Sequence, residues 1–179
     1  MKNNAIFYTI GHSTRSIEVF LQMLKSFEIE TLVDIRSFPG SRKYPQFNQE
    51  HLQVSVKEEG LRYVHLKELG GRRKVKPDSK NTLWRNDSFR GYADYMETDD
   101  FKSGIFKLEA IALTSRTVYM CSEALWWRCH RSMVSDFLKT KGWVVYHIMG
   151  ERKCEEHHYT SAARIVNNEL RYREDEIFD

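Results

Sequence analysis

Short apolar runs alternate along the chain with stretches in which apolar residues recur every three or four positions. Ile6 to Ile10 is the first such run and predicts a strand that stops at Gly11. Ile17, Phe20, Leu21, Leu24 and Phe27 follow at helical spacing, so a helix is predicted to start near Ser13 to Ser16, where a hydroxyl can cap it. Leu32 to Ile35 predicts a second strand, apolar apart from Asp34; Arg36 and Ser37 stand at its end and Pro39-Gly40 marks a turn. Asn48 to Glu59 predicts a helix and Leu61 to Leu66 a third strand. A short helix is predicted over Tyr92 to Glu97, and a longer one on Phe101, Ile105, Leu108 and Ala112. Thr117 to Met120 reads as a fourth strand, Met133, Val134, Phe137 and Leu138 as the apolar face of a helix, and Val144 to Ile148 as a fifth strand.

Apolar strands alternating with helices predict a single α/β domain over residues 1–179, a mainly parallel five-stranded sheet with helices on both faces. The order breaks at a long basic connection, about 67–91, and again at a polar tail from about 151, where His157, His158 and Tyr159 precede a charged, helix-like segment. If the long connection carries the fourth strand beyond the first, the strand order is 3-2-1-4-5. Ligands then bind at the carboxyl edge, in the crevice between strands one and four. That arrangement would bring His12 and Ser13 towards Cys121 and Glu123, over a hundred residues away.

The chain length allows one proper core, and 41% apolar residues is ordinary for a globular protein. A net charge of +3 is too small to argue for nucleic acid by itself. The first apolar run, Ala5 to Phe7, is too short for a signal sequence, and no stretch approaches a membrane span, so no membrane partner is expected. Cys121, Cys129 and Cys154 lack disulfide-scaffold spacing, which points to free thiols and a cytoplasmic setting.

Candidate chemistry is densest between Cys121 and Arg131, where two thiols, Glu123, His130 and two arginines fall within eleven residues. Cys129, near a predicted helix start and beside Arg128, His130 and Arg131, has the setting of an activated thiolate; a buried, structural thiol is the competing reading for it and for Cys121. The pair is not spaced as a redox C-x-x-C motif, and the closely spaced ligand pairs of structural zinc are absent, so no metal site is assigned. Glu123 and His12 are candidates for proton transfer. Ser13 and Thr14 at a helix start, with Arg36, Ser37, His130 and Arg131 at other strand ends, suggest an anion site. Asp34 and Arg36, two positions apart, suggest an internal ion pair instead. In the basic connection, Arg72, Arg73, Lys74 and Arg90 with the aromatic Tyr92 can be read as a nucleic-acid contact or as a solvated loop.

Several separated motifs carry a family resemblance: Thr9-Ile10-Gly11-His12-Ser13, Val33-Asp34-Ile35-Arg36, Leu69-Gly70-Gly71, Phe89-Arg90-Gly91-Tyr92-Ala93, and Cys121-Ser122-Glu123 with Cys129-His130-Arg131. Together they resemble the domain-of-unknown-function family 488 of small bacterial and archaeal proteins. The resemblance implies an α/β fold and a shared polar site, and no settled activity or cofactor. Ala124-Leu125-Trp126-Trp127 stands where family members often have a shorter, Asp-Pro-like segment. Three functions follow as expectations: an enzyme acting on an anionic substrate such as a nucleotide or nucleic-acid component, a non-catalytic nucleic-acid-binding module using residues 70–92, and a thiol or metal sensor. The sequence names neither a cofactor nor an oligomeric state.

Overall fold

The computed structural model describes residues 5–175. Five parallel strands form the sheet: β1 (Ile6–Gly11), β2 (Thr31–Asp34), β3 (Arg62–His65), β4 (Thr117–Cys121) and β5 (Val144–Gly150). A sixth, β6 (Lys153–Glu156), pairs antiparallel with β5. Helices α1 (Ile17–Ser26) and α2 (Gln49–Glu58) cover one face; α3 (Asp87–Met96), α4 (Asp99–Ala112) and α5 (Arg131–Thr140) cover the other. The sheet thus separates two apolar clusters. Phe20, Leu24, Leu52 and Val56 pack on Ile10, Leu32 and Val118; Ile105, Leu108, Met133 and Leu138 pack on Phe7, Val33 and Tyr119. Alternate residues of each strand serve opposite clusters, as the period of two requires.

The strand order is β3-β2-β4-β1-β5-β6, which corrects the expected 3-2-1-4-5. Strand β4 is inserted between β2 and β1: Val118 is in register with Leu32 on one side and Tyr8 on the other. All five β4 residues are buried, which suits a central strand, whereas β3 shows a half-exposed edge. Connection length does not reveal how many strands a crossover passes. The chain moves from β1 to β2 to β3 over one face, then returns through β4 to β5 over the other, and parallel crossovers of one hand require those opposite faces.

Helix starts follow local chemistry. The Ser16 hydroxyl caps α1 by accepting from Val19 N at 3.2 Å, and Asn86 and Thr98 cap α3 and α4. Helix α3 begins at Asp87, earlier than the spacing from Tyr92 predicts, because Asn86 supplies the cap. The basic connection is pinned to it: the buried Asp94 carboxylate accepts from Lys76 N at 2.9 Å and Asn81 Nδ2 at 2.7 Å. Among the described residues the tail has no helix, contrary to the reading from its charges. It forms β6 and then a hairpin of β7 (Arg164–Val166) and β8 (Glu169–Arg171). Asn167 and Asn168 have φ of 51° and 62°, the left-handed pair that a two-residue hairpin turn uses. That asparagine pair was the available signal. Among the described residues no helix is long and apolar enough to cross a membrane.

Candidate active site

The connections leaving β1 and β2 turn to the α1/α2 face, and the one leaving β4 turns to the α5 face. A crevice therefore opens at the carboxyl end of β4, between the ends of its two neighbours. Backbone bonds close its base: His12 N donates to Cys121 O at 3.0 Å and Ser13 N to Ser122 O at 2.8 Å. Gly11 makes this approach possible, since a Cβ there would lie 1.6 Å from Glu123 O. Two hollows of about 400 and 470 Å³ share Arg36, Phe38, Arg72, Ser122 and Glu123 in their walls. One continues to Ser37, Cys121, Arg128, Cys129 and His130, the other to His12, Ser13, Thr14, Ser41 and Tyr44.

Arg36 is buried and largely committed. It donates from Nε to Asp34 Oδ1 at 2.9 Å, and from Nη2 to Asp34 Oδ2 at 2.7 Å and Phe47 O at 2.8 Å. Tyr63 OH donates to the same carboxylate at 2.6 Å. The remaining nitrogen, Nη1, lies 3.4 Å from His12 Nε2. The His12 ring stacks on Phe47, with centroids 4.3 Å apart, and its Nδ1 donates to Ser13 O at 2.8 Å. That bond leaves Nε2 as the lone-pair nitrogen facing Arg36. Burial, reinforced by the Arg36 charge and only partly offset by the Ser13 carbonyl, lowers the His12 pKa to about 4. At neutral pH His12 is an uncharged base.

Cys121 and Cys129 meet at this crevice. Their sulfurs are 2.8 Å apart, and both are free thiols, 2% and 8% exposed. Burial and the contact with Cys129 push the Cys121 thiol up. Burial also works against ionisation of Cys129. There, however, the hydrogen bond from Cys121, the Arg131 guanidinium, His130 and the Arg131 backbone N–H outweigh it and lower the pKa. Of the two thiols, Cys129 is the one its surroundings favour for ionisation. His130 is fixed by donating from Nε2 to Ile35 O at 2.9 Å, and burial keeps its pKa below the ordinary value.

Arg131 does not line the crevice. It is 1% exposed and lies beneath it, donating to Glu123 O at 2.9 Å, Ala124 O at 3.3 Å and Thr9 Oγ1 at 3.3 Å. It positions the loop after β4 and sits against the thiol pair. A buried chain supports it from behind. Thr9 Oγ1 is 2.6 Å from His147 Nδ1, His147 Nε2 is 2.8 Å from His157 Nδ1, and His157 Nε2 is 2.8 Å from Asp136 Oδ1. Asp136 accepts, so each imidazole donates towards it and Thr9 donates to His147. Trp126 stacks on His147, with centroids 4.4 Å apart, and lids this chain. The four members of this chain come from four separate segments, so their spacing in the sequence does not reveal it.

Of the remaining anticipated residues, Ser13, Thr14, Ser37, Glu123 and His130 border the crevice, and the Ser37 hydroxyl donates to Gly71 O at 2.6 Å. Arg72, expected as a nucleic-acid contact, stands instead in the wall of both hollows, and Lys74 is exposed. Arg73 lies 3.7 Å over the Tyr95 ring and bonds Gly70 O, and Arg90 bonds Ser79. Tyr92 is enclosed in the core with its hydroxyl on Leu69 O at 2.7 Å, so it offers no stacking face to a base. Sequence reasoning missed Phe38, Ser41, Tyr44 and Ser122; only their nearness to strand ends could have marked them. Among the described residues no group of three or more His, Cys, Asp or Glu is arranged to hold a metal.

The neutral buried histidines set a pH dependence. Between the ordinary value near 6.5 and about 4, the unfolded chain binds a proton at His12 that the folded chain refuses. Burial, with the neighbouring His157 and Arg131, drives His147 further down. Stability from both is complete above pH 6.5 and falls as pH drops through this window. The imidazole NMR signals of His12 and His147 should not titrate between about pH 8 and about pH 5. A midpoint near pH 6.5 for either would remove it from the buried, neutral set.

A family model described as Domain of unknown function DUF488 matches residues 16–138, more than half of the chain. No curated protein and no solved structure matches it significantly.

Proposed function

The chain belongs to the DUF488 family, and on that premise we propose that it is an enzyme acting on a small anionic substrate in the crevice at the end of β4, with Cys129 as nucleophile. The observation that carries this reading is the placement of an activated thiol in a hollow whose walls include the exposed cations Arg72 and Arg128. Hydroxyls of Ser13, Thr14, Ser41 and Ser122 supply neutral donors around them. In the reaction the Cys129 sulfur bonds to the electrophilic atom of the substrate, and the leaving group departs with its electron pair and takes up a proton. Glu123, which lines the mouth beside Cys129, is the group placed to accept the proton of the water that later cleaves the adduct, whereas His12 Nε2 is turned to Arg36. Nucleotides and nucleic-acid components are the first anions to try. A basic loop acting as a separate nucleic-acid surface has less support, since Arg73, Arg90 and Tyr92 are engaged within the fold.

Alkylation tests the reading without a known substrate. Relative to free cysteine, Cys129 is expected to favour anionic iodoacetate over neutral iodoacetamide by about ten-fold at low salt, with the preference fading as salt rises. Inorganic phosphate or adenosine monophosphate should slow the reaction, and Arg72→Ala with Arg128→Ala should abolish the preference. If Cys129 favours iodoacetamide as free cysteine does, the crevice is not an anion site.

A further inference from the structure

A nucleophilic thiol needs only one sulfur, yet this crevice holds two in contact. We propose that Cys129 and Cys121 form an attacking and resolving pair that exchanges with a low-molecular-mass anionic disulfide. The inference rests on the anion-site reading above and names a substrate class for it. The two roles follow from position. Cys129 is the less enclosed residue of the two, stands two residues before α5, and its sulfur accepts from the Arg131 backbone N–H at 3.4 Å. Cys121 ends β4, is almost wholly enclosed, and lies 2.8 Å from Cys129 Sγ. The rigid ends are tied together: Cys121 O accepts from His12 N, and Arg131 clamps the carbonyls of the intervening Glu123 and Ala124. The two cysteines are eight positions apart in the chain, and the fold keeps their sulfurs adjacent.

The steps balance. Cys129 thiolate attacks one sulfur of the substrate disulfide; its S–S bond breaks, and the first half leaves as a thiolate that takes a proton from solvent. A mixed disulfide on Cys129 remains. Cys121 then attacks the Cys129 sulfur, passes its proton to the second departing half, and closes the Cys121–Cys129 bond. One disulfide is reduced to two thiols and the protein dithiol is oxidised to one disulfide, so no further co-reactant is required; excess small thiol reverses the sequence. The anionic groups of the substrate meet Arg72 and Arg128, and the exposed Phe38 closes the outer wall.

The test uses the full chain carrying Cys154→Ala, which removes the exposed thiol far from the pair, with oxidised glutathione as the probe and intact mass with peptide mapping as the readout. The parent should form the Cys121–Cys129 disulfide and retain no glutathione. Cys121→Ser should trap one glutathionyl group on Cys129. Cys129→Ser should react at least about a hundred-fold more slowly. The neutral hydroxyethyl disulfide should react about ten-fold more slowly with the parent than oxidised glutathione does. A Cys121→Ser protein with native circular dichroism and no adduct on Cys129 would overturn the proposal, as would a parent that keeps both thiols. Equal rates with the neutral and anionic disulfides would overturn the assigned substrate class. Iodoacetate preference without disulfide exchange would leave the anion site standing and remove the dithiol chemistry, whereas exchange without that preference would do the reverse.

Discussion

Asp136→Ala is expected to lower the free energy of unfolding by about 3–5 kcal/mol, read as a fall in the urea midpoint at constant slope. Asp136 is fully buried on α5. Its Oδ1 accepts from His157 Nε2 at 2.8 Å and Thr160 N at 3.0 Å; its Oδ2 accepts from Thr160 Oγ1 at 2.6 Å and Tyr172 OH at 2.8 Å. Alanine strands those donors where water has little access, and each unpaired buried donor costs about 1–3 kcal/mol. The consequence reaches the crevice. His157 orients His147, His147 receives Thr9, and Thr9 accepts from Arg131 under the thiols. Alkylation of Cys129 in the folded variant should therefore need a higher pH than in the parent. A destabilisation below about 1 kcal/mol would mean that the carboxylate does not anchor the tail.

Gly11→Ala carries the second large effect, a loss of about 3 kcal/mol or more, or failure to fold. The added carbon would meet backbone, with Glu123 O at 1.6 Å and Glu123 C at 2.4 Å, so no side-chain rotation relieves it. Either the turn after β4 moves away from His12 or the β1–β4 register at Gly11 and Cys121 opens. Both outcomes separate the two walls of the crevice. Chemical unfolding gives the stability change, and the iodoacetate preference of Cys129 reports on the crevice. Retention of parental stability together with parental alkylation would show that the turn accommodates a methyl group and that the close approach is not required.

Much of the element pattern was legible because burial writes itself into the sequence at a local period. The runs at Ile6, Leu32, Thr117 and Val144 became strands, and the Ile17–Phe27 and Phe101–Ala112 spacings became helices. Asp34 and Arg36 could be paired from sequence because two positions along an extended chain share a face, and their bidentate contact is local. The clustering of Cys121, Glu123 and Cys129 at one strand end was visible for the same reason. Strand order was not. Nothing local distinguishes a crossover that skips one position from one that skips none, and β4 took the centre because every one of its residues had to be buried. Tertiary structure alone decided that Arg131 serves carbonyl oxygens beneath the crevice, that Arg72 comes from a distant loop to border it, and that Thr9, His147, His157 and Asp136 form one chain. It also decided that two cysteines without a redox spacing touch. By itself the sequence determined which side chains sit at the carboxyl ends of the strands, since that depends on neighbours in the chain. Which of them face one another depends on hydrogen bonds and packing between segments far apart in sequence, and only the folded sheet supplies those.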